Sequence, residues 1–110
     1  MAALSTQQLS GAGGAITTAA AAGGGDTVES SQLAGGWGQA TLLVVVVGAT
    51  PTTVTLDGVA GSSLTSQTAV YLVPNGVKGS RKNITYNQVS SVTVGAIQLG
   101  SPNAYGSYGT

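Results

Sequence analysis

From residue 39 onward, short apolar runs alternate with turn-forming clusters, which is the pattern of a β-protein. Gln39–Val47, Thr52–Asp57, Gln67–Val73, Ile84–Asn87 and Ser91–Leu99 each read as a strand bounded by Gly, Pro, Asn or Ser. In Thr53-Val54-Thr55-Leu56 and Ser91-Val92-Thr93-Val94 the alternation is strict. It places Val54, Leu56, Val92 and Val94 on one buried face and the threonines on the other, which is wet or meets a partner through hydroxyls. Leu42–Val47 has no alternation and predicts either a central strand covered on both sides or an apolar edge that an assembly hides. Near Gly95-Ala96 the phase reverses, so Ile97 and Leu99 continue out of step with Val92 and Val94, predicting a bulge or two-sided burial. Turns are expected at Thr50-Pro51, Asp57-Gly58, Gly61-Ser62-Ser63 and Pro74-Asn75-Gly76.

The first 25 residues break this pattern. Residues 2–25 are mostly Ala, Gly, Thr and Ser, with only Leu4, Leu9 and Ile16 as sizeable apolar groups. Ala3–Gln8 could support a helical turn with Ser5 as its cap, but Gly11, Gly13, Gly14 and Gly23–Gly25 would break anything longer. An extended arm is therefore expected. Ordering it costs about 1–2 kcal/mol per residue, and a neighbouring subunit is the simplest surface to offset that cost. The predicted architecture is all-β: a small antiparallel β-sandwich or barrel over residues 26–101, an extended Gly/Ala-rich N-terminal arm over 1–25 and a C-terminal tail over 102–110.

Composition narrows the function classes. Lys78, Arg81 and Lys82 balance Asp26, Glu29 and Asp57, giving a net charge of 0, and there is no His or Cys among the 110 residues. No disulfide or His/Cys metal site can form, so oligomerisation is the expected supplement to a thin core. A neutral chain has no field to steer it to nucleic acid or anionic lipid, and no nucleic acid partner is expected. The longest apolar run, Leu42–Val47, falls far short of the roughly 20 residues of a spanning helix, so no membrane segment is expected. Met1–Leu9 does not read as a secretory signal.

Few residues carry candidate chemistry. General acid–base catalysis needs two carboxylates flanking a pocket; Asp26 and Glu29 are the only ones close in sequence, and Asp57 fits a turn opener before Gly58. Three carboxylates are a poor match to the six to eight oxygens of a calcium site, so neither metal nor cofactor is expected. Gly11–Ala15 and Gly23–Gly25 resemble phosphate loops only superficially, since no Gly-Lys-Ser/Thr follows. An enzyme is the least favoured class. Interface candidates remain: Lys78, Arg81 and Lys82 as a basic cluster on one loop, Trp37 framed by Gly35, Gly36 and Gly38, and Tyr105 and Tyr108 in the tail. Each has a plain structural alternative in a solvated loop, a core plug or a frayed terminus. Asn83-Ile84-Thr85 matches a glycosylation sequon by chance.

The segment Leu42–Leu99 resembles a family of small structural proteins of tailed bacteriophages: head decoration, minor capsid or head fiber proteins. The matching features are the apolar strand LLVVVV, then Thr53-Val-Thr-Leu-Asp57, the Val73-Pro-Asn-Gly76 turn and the closing Val89-Ser-Ser-Val-Thr-Val-Gly-Ala-Ile-Gln-Leu99. Asn75-Gly76-Val77-Lys78 stands where such proteins often carry Gly-Gly, and the arm and tail match no family pattern. The resemblance implies a sandwich or barrel, the major capsid protein as partner, a capsid-surface location in the virion and a homo-oligomer. Its most usual form is a trimer at local threefold positions, although composition does not select a trimer over other closed rings. It brings no catalytic residues. Two other classes stay open: a tail-tube, fiber-base or surface-layer subunit that polymerises, and a carbohydrate-binding module, which the scarcity of aromatics disfavours.

Overall fold

The computed structural model describes residues 2–8, 16–32, 40–77 and 79–99. Among them lie ten strands: β1 (Ala2–Ala3), β2 (Thr6–Gln8), β3 (Ala19–Ala20), β4 (Asp26–Glu29), β5 (Ala40–Val47), β6 (Thr52–Leu56), β7 (Val59–Leu64), β8 (Gln67–Leu72), β9 (Arg81–Tyr86) and β10 (Val92–Leu99). They form two mostly antiparallel sheets packed face to face, one ordered β1-β4-β9-β6-β7 and the other β2-β10-β5-β8, with β3 also paired to β10. The chain is thus an all-β sandwich.

Alternation decides which side chains meet between the sheets. In β6, Thr52, Val54 and Leu56 are buried while Thr53 and Thr55 are half-buried. They face Leu43, Val45 and Val47 of β5 and Val92, Val94 and Ala96 of β10 in one core, with Val28, Leu64, Val73 and Ile84. Burying a Leu or Val side chain stabilises the fold by about 1.5–3 kcal/mol. β5 is central, the first of the two readings open to its unbroken apolar run, and Val44 on its outer side is 3 % exposed. β10 continues in register with β5 from Val92↔Val47 to Leu99↔Ala40, so the phase change at Gly95-Ala96 is two-sided burial and no bulge interrupts this ladder. Asp57 and Gly58, with φ of 51° and 81°, make the two-residue turn between β6 and β7, a conformation that Asp-Gly favours. The expected turn at Gly61-Ser62-Ser63 lies instead inside β7, and the sheet-to-sheet turn falls at Thr65-Ser66, where Ser66 has a φ of 49°.

The leading segment departs most from expectation. It is extended, but its described parts belong to the sandwich itself. β1 pairs in parallel with β4, the chain crosses at Leu4-Ser5, and β2 pairs in parallel with β10, so residues 2–8 strap one side of the sandwich shut. The helical turn expected at Ala3–Gln8 does not form, because its backbone groups find sheet partners: the Leu4 amide donates to Thr27 O (2.8 Å). The return segment reaches β10 through Ala19↔Val94 and Ala20↔Thr93, and the Ala21 amide donates to Val92 O (3.0 Å). Small residues permit this approach. A Cβ at Gly95 would stand 2.5 Å from Thr17 O, closer than side chains pack.

Candidate assembly interface

Among the described residues the chemically distinctive group is Asp26, the first residue of β4 and only 1 % exposed. The Tyr86 hydroxyl donates to its Oδ2 (2.6 Å), the Ala22 amide donates to the same oxygen (3.2 Å), and Oδ1 is buried without a partner. Burial, then the bond and the negative charge of Asp26, push the Tyr86 hydroxyl far above its ordinary range. Asp26 forms one wall of a cavity of about 400 Å³ beneath the strap, otherwise lined by residues such as Thr6, Thr17, Thr18 and Gly95. The pair ties β4 to β9 across the sheet and sits at the foot of the strap. No group of three or more potential metal ligands exists among the described residues.

The basic cluster is divided. Arg81 and Lys82 lie on β9 and not on a loop, and Lys78 lies outside the described residues. Arg81 donates Nη2 to Leu4 O (2.7 Å) and Thr27 O (3.1 Å) and Nε to Thr27 Oγ1 (2.9 Å), so it pins the strap to β4. Lys82 Nζ is 3.7 Å from Asp57 Oδ2 in a partly exposed pair. Both described cations already hold partners within the chain. Trp37, Tyr105 and Tyr108 lie outside the described residues.

The two outer faces of the sandwich differ in chemistry. On the β4-β9-β6 sheet, register aligns Thr27 with Asn83, Thr55 with Thr85 and Thr53 with Ser63, a hydroxyl- and amide-rich surface suited to water. On the other sheet the rows are Leu72–Leu42–Ile97 and Val70–Val44–Gly95; Val44, Gly95 and Ile97 are buried, so the apolar surface is open only toward β8. Val70 and Leu72 on β8 are 58 % and 57 % exposed, and Val46 beside them is also exposed. The apolar surface continues around β8 into a groove of about 440 Å³ between β7 and β8, lined by Leu56, Val59, Gly61, Tyr71 and Pro74. Val59 at its lip is 72 % exposed. None of these residues is charged. Exposed apolar residues gathered in this way make the candidate interaction surface of the described chain. Sequence reasoning named none of Val59, Val70 or Leu72 as interface candidates and met Val46 only within the apolar run Leu42–Val47. The available signal was Gln67–Leu72 itself, a strand without Lys, Arg, Asp, Glu or Pro to protect an edge.

Among known proteins, no family model matches the chain, and neither a curated protein nor a solved structure does.

Proposed function

We propose that the chain is a virion structural protein, a decoration or minor capsid subunit that binds the major capsid protein of a tailed phage and cements neighbouring shell subunits. The observation that carries this proposal is the asymmetry of the sandwich: one outer face is rich in hydroxyls, while the other presents uncharged Val46, Val70 and Leu72 beside an apolar groove. A subunit that docks permanently on a shell needs one face for the partner and one for water, and buried interface cores are apolar and depleted in charge. The motif resemblance over Leu42–Leu99 points to the same class. The role is non-catalytic, and the location is the capsid surface.

The test is to band particles from a culture expressing the gene in a density gradient and quantify their proteins by mass spectrometry. The chain is expected to co-band with the shell protein in a fixed ratio. Its absence from intact particles refutes the proposal, and its recovery with tails alone moves it to the tail.

A further inference from the structure

We infer that β8 is a self-pairing edge: two copies of this chain join β8 to β8 about a two-fold axis through Val70, fusing their apolar sheets into one platform. The inference deepens the assembly role proposed above and rests on that reading for its purpose, though not for its geometry.

The geometry comes from the hydrogen-bond phase. Val73 donates its amide to Thr41 O (2.9 Å), and Gly48 donates its amide to Ser91 O (2.9 Å). In an antiparallel ladder alternate residues turn both backbone groups to the same neighbour. Thr41, Leu43, Val45 and Val47 therefore face β8, and their register partners Val73, Tyr71, Ala69 and Gln67 face back. Thr68, Val70 and Leu72 must turn their N–H and C=O groups to the other side. Among the described residues no strand covers that side, because β8 ends its sheet.

An edge of this kind pairs unless something blocks it, and natural edges are blocked by Lys, Pro, bulges or inward charges. β8 has none of these: it is Gln-Thr-Ala-Val-Tyr-Leu, in unbroken register with β5 over all its residues. A second copy offers the complementary backbone groups in the same spacing. With the axis at Val70, Val70 faces Val70 of the second copy and Thr68 faces its Leu72, so every outward N–H meets an outward C=O. The mating is isologous, the same patch serving both sides. On the outer face Val70 meets its own symmetry mate. On the inner side half-buried Tyr71 stands opposite the small Ala69, which leaves room for the ring. The chain's net charge of 0 adds no repulsion between copies.

A two-fold axis perpendicular to the sheet keeps both apolar faces on the same side. The paired molecule then presents Leu42, Val46 and Leu72 twice in one plane, and two linked sites bind a repeating shell more tightly than either alone. The seam is short, below the roughly 1,200 Å² of a stable interface, so the pair forms at raised concentration.

The absence of cysteine makes the test direct. In a hydrogen-bonded antiparallel pair the facing Cα atoms lie about 5.5 Å apart, within the range a disulfide spans. Val70→Cys is expected to give a disulfide-linked dimer on mild oxidation, while Val46→Cys, one strand inward, gives none. Light scattering of the unmodified chain should show mass rising with concentration from 10.6 kDa toward twice that value. Val70→Lys, which places like charges face to face on an exposed position, should hold the chain monomeric with an unchanged circular dichroism spectrum. In hydrogen exchange, the amides of Thr68, Val70 and Leu72 should slow as the dimer forms.

A monomer at every concentration with no Val70→Cys cross-link overturns the inference and leaves the edge to a different partner. A dimer that survives Val70→Lys, or cross-links equally through Val46→Cys, overturns it in favour of another surface. Neither outcome bears on whether the chain co-bands with particles, so the shell role stands or falls separately.

Discussion

Replacing Tyr86 by Phe removes one hydroxyl and leaves the ring in place. That hydroxyl donates over 2.6 Å to Asp26 Oδ2, on a carboxylate that is 1 % exposed. In the variant the carboxylate keeps only the Ala22 amide at 3.2 Å, while Oδ1 remains without a partner. A hydrogen bond to a charged group contributes about 1.5–3 kcal/mol, and a deserted buried acceptor moves the loss to the upper part of that range. For a domain of this size each kcal/mol shifts Tm by about 4–8 °C, so a fall of roughly 10 °C or more is expected. The pH dependence adds a second signature. Tyr86 is raised above its ordinary value by burial and by Asp26, so above about pH 10 the unfolded chain releases a proton that the folded chain retains. The stabilisation is complete below about pH 10 and is lost above it at up to about 1.4 kcal/mol per pH unit. Phe cannot titrate, so the advantage of the native chain over the variant shrinks as pH rises through that window. Tyr71, also raised by burial, is common to both proteins and cancels. Urea unfolding followed by circular dichroism between pH 7 and pH 11 measures both effects. A Tyr86→Phe variant within about 0.5 kcal/mol of the native chain, with a parallel alkaline slope, would refute the reasoning, since that is the scatter of ordinary surface changes.

Other perturbations address the strap and the core. Gly95→Val should drive the side chain into Thr17 O and lift residues 16–20 from β10, seen as new protease cleavage there with the β-sheet circular dichroism retained; uncut protein would contradict the packing. Arg81→Ala removes three hydrogen bonds to Leu4 and Thr27 and should speed hydrogen exchange at the Leu4 amide, with unchanged exchange counting against the pin. Leu43→Ala, at a fully buried centre of the core, should cost about 2–5 kcal/mol in urea unfolding, and a loss below 1 would place Leu43 outside the core. Lys82→Ala should cost less than about 1 kcal/mol, because its pair with Asp57 is partly exposed.

Much of the sandwich is legible in the chain because side-chain period and core face coincide. Thr52–Leu56 and Val92–Val94 alternate as they pack, whereas the unbroken run Leu42–Val47 allows a central strand or an apolar edge, and only its pairing with β10 and β8 decides for the first. β7 is hidden from the same logic. Val59–Leu64 is exposed at every position except Leu64, so no apolar period marks it, and Gly61-Ser62-Ser63 imitates a turn. The Asp57-Gly58 hairpin signal was the better guide. β9 begins at Arg81, before the expected start at Ile84, because Arg81 points its charge at the strap while Lys82 reaches Asp57, uses for charge that a loop assignment overlooks. β1 to β3 are two or three residues long, and their pairing is a tertiary event that no local propensity announces. Burial of Asp26 is equally silent, since only the folded chain brings Tyr86 to it from 60 residues away. Of the interface candidates, Arg81 and Lys82 hold partners within the chain, and the apolar edge shows only in the topology. A strand's residues do not say whether it lies inside a sheet or ends one.

The most direct test of the proposed role is a binding titration of the purified chain onto tailed-phage shells that lack it, followed by a thermal ramp of the loaded shells. Saturation at a fixed ratio to the shell protein, a higher opening temperature and loss of both in Leu72→Lys are the results expected of a cement subunit docking through its apolar face. Absence of saturable binding, or binding that Leu72→Lys leaves untouched, would contradict it.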